Sequence, residues 1–101
     1  MKPEFEPLPL VNNTNLRQFE LVVEGHKAKI EYELQRDRMS LLHTEVPPEL
    51  GGRGVGEAIV EKTLHYLEDN KMKLVPWCPY VKAYLKKHPE WKRILALGIN
   101  I

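Results

Sequence analysis

The stretch PELGGRGVGEAIVEK, Pro48 to Lys62, places three glycines at alternate positions around the start of a segment with helical periodicity. The glycines are Gly52, Gly54 and Gly56, and the helical pattern over residues 55–70 has an apolar stripe along one side. Glycines at the start of a helix leave several backbone N–H groups free of side chains, and the helix dipole adds positive potential there. The stretch therefore predicts an anion site for a phosphate or diphosphate. The alternative is a glycine-rich connection without a ligand, although three glycines are costly there without a purpose.

Two common phosphate-binding motifs do not fit this stretch. A P-loop has Lys followed by Ser or Thr after its last glycine, whereas Gly56 is followed by Glu57 and Ala58. The dinucleotide-binding fingerprint has a different glycine spacing and follows a parallel strand. The segment before these glycines instead ends an antiparallel run.

Three predicted strands precede the glycines and one follows the helix. RQFELVVEG, KAKIEYELQRD and MSLLHTEV carry the strand pattern, clearest in the middle segment, and turn signals separate them, which predicts an antiparallel meander. KMKLVPW predicts a fourth strand, and a strand–helix–strand crossover makes a parallel pair. We therefore predict one α+β domain over residues 1–101, a mixed sheet flanked by helices. Residues 1–15, rich in proline, are expected to form an irregular arm.

The composition is that of an ordinary globular domain. The chain has 101 residues, of which 43% are hydrophobic and 29% charged. Cys78 is the single cysteine, so an intramolecular disulfide and a cysteine-rich zinc site are excluded, and we assign no metal ligands. Because the chain has no leader-like or membrane-length apolar run, we expect a cytoplasmic protein without a membrane partner.

Charge is distributed unevenly along the chain. Residues 1–70 carry 8 basic and 13 acidic side chains, whereas residues 71–101 carry 7 basic and 1 acidic side chain. A basic C-terminal third can meet an anionic ligand, and a solvated helix face is the alternative. We do not expect nucleic-acid binding, because few aromatic residues are interleaved with these lysines.

Cys78 directly precedes a predicted helix that has Pro79 in its first position. A thiol at a helix N-terminus has its thiolate form stabilised by the dipole and by free N–H groups, and Lys82 lies one turn further on. Cys78 is therefore a candidate nucleophile. The alternative is a small buried apolar residue.

The segment GGRGVGEAIV resembles the acyl-CoA diphosphate loop of the GCN5-related N-acetyltransferases (GNAT), which has the pattern Gln/Arg-x-x-Gly-x-Gly/Ala. Gly54 and Gly56 match the two glycine positions. Gly51 stands where the pattern has Gln or Arg, and Arg53 is a partial substitute. Over residues 18–95 the chain is similar to the small N-acetyltransferase-domain-containing-protein-1 type of this family. The similarity lies in the succession of three motifs, namely this loop, CPYVKAY and HPEW.

The resemblance implies a GNAT-like fold and acetyl-CoA as the cofactor. The strand end at Thr44–Val46 would pair with the pantetheine arm, and the glycine loop would hold the diphosphate. The strands LLHTEV and KLVPW would separate around the thioester. The cofactor-binding residues implied are Val46, Gly51, Gly52, Arg53, Gly54, Val55, Gly56, Cys78 and Lys82.

The resemblance also implies transfer of an acetyl group to an amine, and the sequence does not choose between a protein lysine and a small amine. Glu45 is the candidate base that takes the proton from the amine, and His43 is the alternative. In the non-catalytic interpretation, both are simply exposed residues of the strand. Tyr84, with Tyr80 as its competitor, is the candidate that protonates the leaving thiolate, and core packing is the alternative.

Cys78 either accepts the acyl group or lines the thioester pocket. The alternative function is a non-catalytic acyl-CoA-binding sensor or interaction module. Gly51 at the usual Gln or Arg position, and the lack of helices that would shape an acceptor pocket, favour this alternative.

Overall fold

The computed structural model describes residues 1–101 and contains one five-stranded sheet with strand order β1-β2-β3-β4-β5. The strands are β1 (Val11–Asn13), β2 (Gln18–Val23), β3 (His26–Gln35), β4 (Arg38–Glu45) and β5 (Lys73–Pro76). The helices are α1 (Val55–Asp69) and α2 (Pro79–Lys87), with short 3₁₀ turns at Pro3–Phe5, Pro48–Leu50 and Pro89–Ile94. No helix has the length and apolar character required to cross a bilayer.

The topology confirms the predicted α+β architecture. β1 to β4 pair antiparallel, and β4 pairs parallel with β5 through the α1 crossover. Cys78 is the N-cap residue of α2 and Pro79 is its first residue, as the sequence predicts. The helix after the glycines begins at Val55, also as predicted.

Both helices contribute to one hydrophobic core with the same face of the sheet. Alternate residues of β2 and β3 point into this core, namely Phe19, Leu21, Val23, Ala28, Ile30 and Tyr32. From α1 the predicted stripe is buried, including Ile59, Leu64 and Leu67, which are fully buried. The opposite face of the sheet carries charged side chains in ion pairs, such as Lys29 with Glu31. That face has no helix packed on it.

The structure differs from the expected irregular arm over residues 1–15 at one segment, because Val11–Asn13 forms β1 at the sheet edge. The Asn12 side chain explains the difference. It donates to the Tyr66 hydroxyl (3.1 Å) and accepts from the Tyr32 hydroxyl (2.6 Å). These partners are distant in sequence, so local propensity does not reveal them.

β4 contains a one-residue bulge. On β3, Glu31 and Tyr32 are consecutive, but their partners on β4 are His43 and Leu41, which leaves Leu42 as the extra residue. A bulge bends its strand and increases the local twist. The end of β4 is therefore redirected relative to β5.

β4 and β5 pair only as far as Leu41 and Pro76. The Leu41 carbonyl then accepts hydrogen bonds from the N–H groups of Trp77 (3.1 Å) and Cys78 (2.9 Å), and the chain turns into α2. β4 continues to Glu45 with no partner on this side. The resulting gap agrees with the strand separation that the resemblance implies.

Candidate functional site

The glycine loop before α1 exposes a run of free backbone donors. Gly52 and Gly54 have φ values of +73° and +85°, a conformation that glycine adopts without strain. None of the N–H groups from residues 52 to 57 donates to a carbonyl or a side chain of the protein; the first bond of α1 joins the Ala58 N–H to the Gly54 carbonyl. Successive free N–H groups at a helix N-terminus suit an anion.

These donors border a groove of about 430 Å³. Its walls include six of the predicted cofactor-binding residues, Val46, Gly51, Gly52, Gly54, Val55 and Gly56, together with Pro47, Pro48, Leu50, Glu57 and Tyr80. The groove therefore connects the end of β4 with the mouth of α1. The structure brings these six residues together, and their role toward a cofactor stays a prediction.

Gly56 allows the Tyr80 ring to lie against the first turn of α1. A Cβ atom added at Gly56 would lie 2.5 Å from the Tyr80 hydroxyl oxygen and 2.9 Å from the ring carbon that bears it. Glycine is thus required at position 56 because the Tyr80 ring, which belongs to α2 and forms a wall of the groove, occupies the space of a side chain. Burial is the first cause that raises the pKa of Tyr80, and the Glu57 carboxylate adds to it.

Gly51 lies against the 3₁₀ turn that precedes it. A Cβ atom at this position would approach the Pro48 carbonyl oxygen to 3.2 Å, so a larger residue requires a small shift of the backbone. The Gly51 N–H also donates to that carbonyl (3.0 Å). The departure from the GNAT pattern therefore coincides with a tight turn.

Arg53 does not line the groove. Its guanidinium forms two hydrogen bonds to the Glu24 carboxylate, of 2.8 and 3.0 Å. These bonds lower the pKa of Glu24 and join the loop to the turn between β2 and β3. The predicted role of Arg53 in cofactor binding stays a prediction, and in this structure its charge is paired.

Cys78 lies at the gap between β4 and β5. Its side chain is buried, with 3% of the residue exposed, and its sulfur lies 3.4 Å from the Thr44 hydroxyl oxygen. Thr44 belongs to the part of β4 that extends beyond the β5 pairing. The thiol therefore has one polar side-chain partner, the Thr44 hydroxyl. The sequence predicted a role only for the backbone of Thr44, as the edge that pairs with pantetheine.

His43 and Glu45 lie on the sheet face without helices. The His43 Nε2 atom is 3.6 Å from a Glu45 carboxylate oxygen, and the Lys29 ammonium is 3.7 Å from the same carboxylate. Both predicted bases have more than half of their side-chain surface exposed. They are thus accessible from solvent, on the face opposite to the Thr44 and Cys78 side chains.

Tyr84 and Lys82 do not line the groove, although Tyr84 borders a neighbouring cavity with Tyr80 and Glu57. The Tyr84 hydroxyl donates to the Glu61 carboxylate (3.2 Å), and burial is the main cause that raises the Tyr84 pKa. Lys82 lines a second groove formed with β5 and the C-terminal residues 98–101. Of the two tyrosines that compete for the acid role, Tyr80 is the one in the groove, and the role of Tyr84 stays a prediction.

The sequence matches a protein-family model and has relatives of similar length. The family model for GCN5-related N-acetyl-transferase matches residues 18–94. The chain is 29% identical over 86 residues to Protein NATD1 of Gallus gallus, covering 82% of this chain and 78% of the relative. It has the same identity to Protein NATD1 of Homo sapiens, covering 82% of this chain and 76% of the relative.

A solved structure agrees in fold. The solution structure of a GCN5-like protein from Staphylococcus aureus superposes with a TM-score of 0.67 at 23% identity, covering 94% of this chain and 93% of that one. The family match spans the meander, the glycine loop, α1, β5 and α2. The chain therefore belongs to the GCN5-related N-acetyltransferase family.

Proposed function

We propose that this chain binds acetyl-CoA and transfers its acetyl group to an amine in the cytoplasm. The proposal depends on one observation above the others: the free N–H groups of residues 52–57 border a groove that runs to the end of β4. A diphosphate fits the donors, and an extended pantetheine arm fits the unpaired edge of β4. Membership in the family supplies acetyl-CoA as the expected ligand.

In the direct route, the amine nitrogen attacks the thioester carbonyl carbon and the carbon–sulfur bond breaks. The amine proton passes to Glu45 or His43, which face solvent beside the gap. The leaving thiolate takes a proton from an acid, and Tyr80 in the groove is better placed for this than Tyr84. Backbone N–H groups at the β4 edge would stabilise the oxyanion.

In the second route, the Cys78 thiolate attacks the thioester carbonyl carbon first and CoA leaves as its thiolate. The amine then attacks the new thioester, and Cys78 is regenerated. The position of Cys78 at the N-cap of α2, together with the Thr44 hydroxyl at 3.4 Å, supports this route.

The test is to incubate the chain with acetyl-CoA and to measure intact mass and free CoA, with and without a panel of lysine peptides and polyamines. We expect CoA release with an acceptor, and an acetyl adduct that maps to Cys78 if the second route operates. Cys78→Ala would abolish that adduct, whereas the direct route would retain turnover in this variant. Absence of CoA release with every acceptor would contradict catalysis.

The second candidate is an acyl-CoA-binding module without turnover. Two observations favour it: Cys78 is almost fully buried, and the Tyr84 hydroxyl is engaged with Glu61. Such a module would show an acetyl-CoA-dependent increase in melting temperature without CoA release. Absence of any stabilisation would contradict both candidates.

A further inference from the structure

The N-terminal arm brings a lysine to the glycine loop. A Cβ atom added at Gly54 would lie 3.4 Å from Cε of Lys2 and 3.9 Å from its ammonium nitrogen. Lys2 forms no ion pair and no side-chain hydrogen bond with the protein. Its charge is therefore free at the loop.

The arm is held in place by several contacts. Phe5 is 1% exposed and belongs to the hydrophobic core, and its N–H donates to the Lys2 carbonyl (3.0 Å). The Lys62 ammonium on α1 donates to the Glu6 carbonyl (3.2 Å). These anchors fix the backbone that bears the Lys2 side chain, so the approach to Gly54 is set by the fold.

Neither of the other cations predicted at the cofactor lines the groove, and Lys87 lies in a neighbouring cavity with Glu57 and Tyr80. Arg53, in the loop itself, is paired with Glu24. Lys82 lines a groove on another side of the molecule. Glu57, by contrast, brings a carboxylate to the wall of the groove and disfavours an anion there. A positive side chain would offset this carboxylate and strengthen the binding of a diphosphate, and the Lys2 side chain lies against Gly54 of the loop.

We propose that the Lys2 ammonium binds the diphosphate of acetyl-CoA, while Arg53, the predicted partial substitute for the side chain missing at Gly51, stays paired with Glu24. This inference depends on the proposed function. Gly54 lies among the free N–H donors, and the Lys2 side chain lies against Gly54 from outside the residues that line the groove, within reach of a diphosphate held by those donors. The contact is charge-assisted and exposed to solvent, which predicts a salt-sensitive contribution to affinity.

The experiment compares CoA, dephospho-CoA and pantetheine by calorimetry, using the full chain with a C-terminal tag. Dephospho-CoA keeps the diphosphate and lacks the 3′-phosphate, whereas pantetheine lacks both. We expect Lys2→Ala to weaken CoA and dephospho-CoA alike, by about five- to tenfold at low salt, and to leave pantetheine unchanged. The loss should shrink as salt increases, and Lys2→Arg should restore most of the affinity.

Lys92→Ala is the matched control. Lys92 is exposed and lies beside Arg93, which pairs with Glu68 near the far end of α1, roughly 20 Å along the helix from Gly54. Equal CoA affinity in Lys2→Ala and Lys92→Ala would overturn the inference while the proposed function stands. If Lys2→Ala weakened the binding of CoA but not of dephospho-CoA, the lysine would contact the 3′-phosphate, and this result would also overturn the inference. A wild-type chain that binds no CoA would contradict the proposed function itself.

Discussion

The Thr44 hydroxyl lies 3.4 Å from the Cys78 thiol, across the gap where β4 continues and β5 has ended. The bulge at Leu42 sets this relationship, because it directs the Thr44 side chain to the helix-covered face of β4. The single cysteine of the chain thus has a hydroxyl partner at the site where the strands separate.

Thr44→Val should slow the reaction of Cys78 with iodoacetamide. Valine keeps the shape of threonine but cannot donate a hydrogen bond to the thiolate. We expect a rate about fivefold lower, which corresponds to one hydrogen bond of about 1 kcal/mol. Labelling followed by intact mass measures the rate. An unchanged rate would show that the hydroxyl does not stabilise the thiolate.

Thr63→Val applies the same substitution at a site where the hydroxyl has no partner. The Thr63 oxygen is fully buried in α1 without a hydrogen bond. Removing an unsatisfied buried hydroxyl should raise the free energy of unfolding by about 1 kcal/mol. Urea unfolding measures it, and this variant also serves as the control for Thr44→Val. Destabilisation would mean that the hydroxyl has a partner, such as a bound water.

Gly56→Ala and Tyr80→Ala should be coupled in stability. Alanine favours a helix over glycine by about 1 kcal/mol, but the new methyl group must displace the Tyr80 hydroxyl. With Tyr80 present, the gain in helix propensity and the clash with the tyrosine oppose each other. In the Tyr80→Ala background only the gain remains, so Gly56→Ala should raise the free energy of unfolding by about 1 kcal/mol. A double-mutant cycle in urea measures the coupling. Equal effects in both backgrounds would place the ring away from Gly56.

Tyr80→Phe should slow CoA release more than Tyr84→Phe does. The Tyr84 hydroxyl donates to Glu61, and burial holds its pKa above the ordinary value of 10.0, so its proton is retained. Tyr84→Phe should instead lower the free energy of unfolding by about 1 kcal/mol through the lost hydrogen bond. Steady-state turnover and urea unfolding of the two variants provide the comparison. The reverse order of rates would assign the acid to Tyr84.

Glu20→Gln should reduce the loss of stability in acid. The Gln18 side chain donates to Glu20 (2.6 Å) and is the largest cause that lowers the Glu20 pKa below 4.5. A lowered pKa in the folded state contributes stability above pH 4.5, and this contribution is lost as the pH falls through the folded value. The slope of unfolding free energy between about pH 5 and pH 3 should decrease in Glu20→Gln and stay unchanged in the exposed control Glu33→Gln. Equal slopes would exclude Glu20 as the source.

The fold was accessible from sequence because its signals are local. Alternation in the meander, the glycines before α1 and the Cys-Pro start of α2 each depend on neighbouring residues. The bulge had a local signal as well, since continued alternation from Leu41 would have buried His43 and Glu45. Leu41 and Thr44 both face the core although they are three positions apart, and this break in the alternation marks the extra residue.

The site was less accessible because its contacts join distant segments. Gly56 meets Tyr80, Arg53 meets Glu24, and no spacing rule links these positions. The sequence predicted Arg53 as a partial substitute for the missing Gln or Arg, and it gave no sign that the guanidinium would pair with Glu24. The surroundings of Tyr80 and Tyr84 differ because the Tyr84 hydroxyl donates to Glu61 on the other helix, a contact that the sequence does not reveal.

The extra residue at position 42 lets β4 bend without changing which later side chains face the core. Side chains alternate between the two faces of a strand, so regular pairing of every residue from Leu41 onward would turn His43 and Glu45 into the core and Thr44 away from Cys78. A chain without Leu42 would instead keep the observed pairs in a continuous ladder and would lose only the bulge. Deletion of this residue should therefore preserve the faces of β4 while it straightens the strand and narrows its separation from β5.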